Sequence, residues 1–190
     1  MAATAVTAPL KTPRACPAES HASGYTSGYI RAKHAGKDMP EYLFVYGTLR
    51  PGMAPRRLAH LMKKMRYMGR ASTPGRLYDL DAYPGAVLDP DCDTEIKGEV
   101  FQLPDDGETL AALDTYEGFD ARYPASSLFV RRRCKVTLKD DTKLVCWIYV
   151  YNWQVSSEAL IRGGDYLWHK KLKSLRRRPE KDVRGSGSED

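Results

Sequence analysis

Nowhere in this 190-residue chain does an apolar run approach the ~20 residues that a membrane-spanning helix needs. No charged-then-apolar leader with a small-residue cleavage site opens it either, so neither a membrane partner nor secretion is expected. Cysteine is scarce. Cys16, Cys92, Cys134 and Cys146 contain no CxxC pair, and His21, His34, His60 and His169 are scattered away from them. That spacing excludes the common zinc sites, and no metal or organic cofactor is expected. A Ser/His or Cys/His arrangement of the kind that marks a hydrolytic nucleophile is also missing. The net charge of +6 is not a basic groove, because it divides unevenly: +3 over residues 1–40, −1 over 41–169 and +4 over 170–190. A near-neutral body with basic ends suits weak contact with a polyanion, not a nucleic-acid site built into the fold.

What the chain has is enough apolar residue, 42%, to bury one core. Residues 1–40 are rich in Ala, Ser, Thr, Gly and Pro and poor in acids. They read as a disordered leader, with a cytoplasmic protein as the first expectation and mitochondrial or plastid targeting as the alternative. Order is expected over 41–169, and a basic tail over 170–190. Leu43–Tyr46 reads as a short strand. Residues 54–64, with Leu58, Leu61, Met62 and Met65 at helical spacing, read as a surface helix. Short β-like pieces follow at 76–80, 86–88 and 97–103. The clearest strands are 128–138 and 143–153, the second apolar or aromatic on both faces, as in a barrel strand or one backed by a helix. A hairpin pairing Val136 with Cys146 would set the Cys134 and Cys146 sulfurs diagonally as buried reduced thiols. Gly163–Gly164–Asp165 then leads into a basic helix or tail. The fold class is α+β with strands predominant.

The segment Pro104–Gly118 reads as a short helix with a capping-box start at Asp105 and Glu108 and a glycine stop. Leu110, Leu113 and Glu117 share one stripe of it. A carboxylate on an apolar stripe, in the last turn where the helix dipole opposes an anion, is pushed toward its neutral form. Such a carboxyl suits a proton shuttle.

Tyr46–Gly47–Thr48–Leu49 at the end of the first strand resembles the signature loop of the γ-glutamylcyclotransferase-like superfamily, which includes the γ-glutamylamine cyclotransferases and AIG2-like proteins. Leu113–Asp120, around Glu117, resembles that family's helix-end motif, and the resemblance runs on through Phe129–Arg131 and Cys146–Tyr151. It implies a compact barrel-like sheet ringed by helices and enclosing one small polar cavity. It also implies an activity: the α-amine of a γ-glutamyl group attacks its own γ-amide, releasing 5-oxoproline and an amine. Glu117 is then the catalytic general acid/base, with Tyr46, Gly47, Thr48, Leu49, Arg131 and Tyr149 as substrate-binding residues. Backbone N–H groups of Gly47, Thr48 and Leu49 can converge on an anion, and Tyr149 can line the cavity or fill core. The partner implied is a small γ-glutamyl substrate, with the oligomeric state open. The alternative is a non-catalytic member of the fold serving a larger, organellar ribonucleoprotein assembly.

Overall fold

The computed structural model describes residues 39–176. All but the last two residues of the leader expected over 1–40, and the end of the basic tail, lie outside the described residues. Six strands alternate with three α-helices: β1 (Tyr42–Val45), α1 (Ala59–Lys64), β2 (Arg66–Asp79), β3 (Pro84–Leu88), β4 (Glu95–Gln102), α2 (Glu108–Glu117), β5 (Phe129–Leu138), β6 (Lys143–Tyr151) and α3 (Tyr166–Arg176). The sheet runs β3-β2-β4-β1-β6-β5, and a further β2–β5 pairing, Ala71 opposite Leu138, joins its ends. Five strands thus close into a barrel, and β3 hangs on the outside edge of β2. All pairings are antiparallel except β1 with β6. The α+β, barrel-like expectation is met.

Alternation along the strands divides two apolar layers. Phe44, Ile96, Val100, Val136, Cys146 and Ile148 fill one cluster. On the other face, Leu43, Val45, Phe101, Tyr149 and Tyr151 pack with Leu58 and Leu61, from the α1 region, and Leu113 of α2. Strand β6 is therefore covered on both sides, as its sequence suggests. The glycines answer to close approach. A Cβ on Gly98 would stand 2.2 Å from the Val45 carbonyl oxygen, so no larger residue fits there while β1 and β4 keep their register.

Three local expectations are corrected. The α2 helix begins at Glu108, four residues later than expected, and its start is capped by Asp106 rather than by an Asp105–Glu108 box. Asp106 accepts the Thr109 N–H and hydroxyl, both at 2.9 Å, and Gly107 turns the chain in with φ +61°. In the hairpin Cys134 faces Cys146 directly and Val136 faces Leu144. The thiols are free and buried, and burial pushes both up to about 12. Strand β2 also starts ten residues earlier than the β-like piece at Arg76, with a bulge between Tyr67 and Gly69.

Candidate active site

Strand β1 ends at Val45, and the chain turns at once, the Arg50 N–H donating to the Gly47 carbonyl at 3.1 Å. Among the described residues, none of the loop and turn hydrogen bonds uses the N–H of Gly47, Thr48 or Leu49, three adjacent donors in a turn that lines a cavity. Gly47 is required by the wall beside it. A Cβ there would meet the Pro84 ring of β3 at 2.7 Å. From below, the turn is fixed by Arg50, itself buried, which donates to Glu99 of β4 at 2.5 and 2.7 Å and to Asp165 at 2.7 Å. A buried bidentate guanidinium of this kind holds a loop in one place.

The last residue of α2 is Glu117, and Gly118 ends the helix in the left-handed conformation with φ +67°. Leu113, wholly buried one turn back, seats that face of the helix on the barrel. Glu117 and the 47–49 turn line one cavity of about 300 Å³, together with Tyr46 and Tyr149. No described side chain hydrogen-bonds the Glu117 carboxyl, and burial with no compensating partner pushes it up to about 7. Neighbouring tyrosines keep their protons. The Tyr46 hydroxyl donates to the Tyr149 carbonyl at 2.6 Å, and burial followed by the Glu117 charge holds it well above the usual phenol range. The Tyr149 hydroxyl donates to Asp114 at 2.7 Å, and it too is raised, by burial and then by Asp114.

Of the residues singled out from the sequence, Tyr46, Gly47, Thr48, Leu49, Glu117 and Tyr149 meet at this cavity. Arg131 does not line it. Its Nη1 lies 3.1 Å from Asp114 Oδ2, off the angle a hydrogen bond needs, and its guanidinium sits 4.6 Å from the Trp147 ring centre. Arg131 thus stands behind Tyr149 through Asp114 and outside the cavity lining; on a twisted barrel strand, facing the helix layer is not the same as facing the cavity. Asp114 is raised by burial, which Tyr149 and Arg131 offset only in part.

Sequence reasoning missed Arg57, whose guanidinium lies over the Tyr116 ring at 5.2 Å and which, among the described residues, shares the cavity wall with one other charged side chain, Glu117. Nothing in the sequence separates it from Arg56. Also missed were Tyr83 and Pro84, which reach the site from the β2–β3 turn and β3. Thr48 is tied to the α2 end by its hydroxyl, 3.3 Å from that of Tyr116.

Comparison with known proteins joins these observations. Residues 43–168 match the model of the family described as gamma-glutamyl cyclotransferase, AIG2-like. The chain belongs to that family. It is 32% identical over 126 residues to the gamma-glutamylcyclotransferase family protein YtfP of Escherichia coli K12, covering 66% of this chain and 95% of that one. It is 36% identical over 112 residues to the gamma-L-glutamyl-butirosin B gamma-glutamyl cyclotransferase of Niallia circulans, covering 58% of this chain and 66% of that one. Among solved structures, an AIG2-like protein from Mus musculus shares the fold with a TM-score of 0.53 at 18% identity, over 68% of this chain and 89% of that one. YkqA from Bacillus subtilis does so with a TM-score of 0.56 at 24% identity, over 73% of this chain and 44% of that one. The family's match opens in β1 and closes in α3, so it takes in every cavity residue named above.

Proposed function

We propose that the protein is a γ-glutamyl cyclotransferase that releases 5-oxoproline and a free amine from a γ-glutamyl amine or small γ-glutamyl peptide. The observation that carries this reading is an unpaired carboxyl, raised to about 7, sharing one small cavity with three unused backbone N–H groups. The nucleophile is the substrate's own α-amine, so no enzyme nucleophile is needed, and folding the substrate back makes closure of the five-membered ring intramolecular. Glu117 takes a proton from the α-ammonium. The freed nitrogen bonds to the γ-carbonyl carbon and the turn N–H groups hold the developing oxyanion; Glu117 gives its proton to the leaving nitrogen as that C–N bond breaks, then takes the second proton from the ring nitrogen, which passes to the departing amine as its ammonium. No water is consumed. Arg57 supplies the one cation at the wall and suits a substrate carboxylate.

The test is a panel of γ-glutamyl amines, amino acids and dipeptides assayed for 5-oxoproline, run beside Glu117→Gln. The expected result is turnover of at least one member and a loss of roughly 10²–10⁴-fold or more in the variant, the range for a missing general acid/base. Unchanged turnover in Glu117→Gln removes that residue from the mechanism, and silence across the whole panel sinks the reading.

A further inference from the structure

Helix α3 is turned inside out relative to an ordinary surface helix. Its contacts with the body are polar or limited to the first turn: Tyr166 is buried, and both His169 Nε2 and Lys173 Nζ reach Asp79 of β2, at 2.8 and 2.7 Å. The stripe on the opposite side is apolar. Trp168, Leu172 and Leu175, spaced i, i+4, i+7, are 56%, 37% and 53% exposed. Basic side chains flank it: Lys171, whose ammonium lies 5.6 Å from the Trp168 ring centre, and Arg176. Trp168 and Lys171 also form part of the wall of a second cavity, of about 660 Å³. Its other charged residues are basic Arg70, Lys97 and Lys139, acidic Glu95 and Asp141, and the Arg50–Asp165 pair, which is already matched.

We propose that this face docks the protein on an anionic lipid surface, the Trp168–Leu172–Leu175 stripe entering the headgroup boundary and the basic residues around it meeting lipid phosphates. An outward apolar stripe bordered by lysine and arginine is the pattern of helices that lie in a membrane interface. A second copy of the chain is disfavoured, because pairing two such stripes would bring their basic flanks together. A groove that wraps a helix is disfavoured too, since the far side of α3 is already bound to β2 through Asp79. Single-stranded RNA would use the tryptophan and the charges but has no use for two leucines. A flat anionic surface uses all of them. The lack of a spanning apolar run, from which no membrane partner was expected, is blind to a helix lying on the surface.

The full-length protein is sedimented with vesicles of phosphatidylcholine alone or of phosphatidylcholine mixed with phosphatidylglycerol. Binding is expected only to the anionic vesicles and is expected to weaken with added salt. The triple variant Trp168→Ser/Leu172→Ser/Leu175→Ser should lower it by roughly tenfold or more, and Lys171→Ala/Arg176→Ala by roughly tenfold. Both should melt close to the parent, because none of these side chains belongs to either apolar cluster; should the triple variant melt early, Trp168→Ser alone is read in the same way. Sedimentation with neither vesicle overturns the proposal, as does a triple variant that binds like the parent. So does capture by single-stranded RNA or self-association through the stripe without vesicle binding.

Discussion

Glu117 is held against its own charge, and that has a measurable cost. In an unfolded chain its carboxyl titrates near 4.5; in the fold burial moves it to about 7. The native state therefore binds the proton more tightly, and its stability falls as pH rises through the window from about 4.5 to 7, then stays level. Glu117→Gln removes that penalty. The variant is expected to be more stable than the parent at pH 8 by about 1–3 kcal/mol, the larger figure being the full shift and the smaller allowing for solvent in the open cavity. The gain should vanish near pH 4, and thermal melts at the two pH values check it. In the parent, kcat/KM should fall as pH drops through about 7, because the base must be ionised to take the ammonium proton. The position of Glu117 was legible because one residue broke the apolar stripe of Leu110 and Leu113. That Arg131 lies outside the cavity lining was not legible, because alternation tells which side of a strand a residue faces, not which neighbour claims it; Asp114 and Trp147 do so here.

At the scale of elements, the turn after β1 depends on one guanidinium. Arg50→Ala would leave Glu99 buried beside a missing partner, and it is expected to destabilise the fold by about 3–5 kcal/mol, read by urea denaturation. Arg50→Lys should recover part of that but not the bidentate geometry, so substrate binding should stay weakened. Helices and end strands were legible from periodicity, and the glycine stop of α2 from Gly118. The β5–β6 register was not. Sliding that hairpin by two residues keeps every side chain on its own face, so the pattern of Cys134, Val136, Leu144 and Cys146 cannot tell the two arrangements apart. The turn decides it: Asp141 takes φ +64° and the Leu138 N–H reaches the Thr142 carbonyl at 2.9 Å. The early half of β2 was hidden for another reason. Gly69, Pro74 and Gly75 argue locally against a strand, and only β4 and β5, distant in sequence, make it one.

Taken whole, the molecule is a closed ring of five strands with one strand outside it. Strand β4 is paired on both sides, to β2 and to β1, so its amides should exchange only with extensive opening, whereas β3, bonded along one side to β2, should exchange sooner. Native-state hydrogen exchange comparing Ala86–Leu88 with Ile96–Val100 measures the difference, and equal protection would mean that β3 opens only with the barrel. Family and fold were legible at this scale because the residues that carry them lie in one stretch from β1 to α3. The outward stripe of α3 was not, since a leucine's direction relative to the body is fixed by Asp79 on a strand ninety residues away.

Arg50 follows Leu49 in the chain, and one of its two carboxylate partners is Asp165, whose Oδ1 accepts from that guanidinium and also from the Leu167 and Trp168 N–H groups in the first turn of α3. The 47–49 turn and the start of α3 are therefore tied together by one ion pair. The same arginine that steadies the floor of the cavity also anchors the base of that helix.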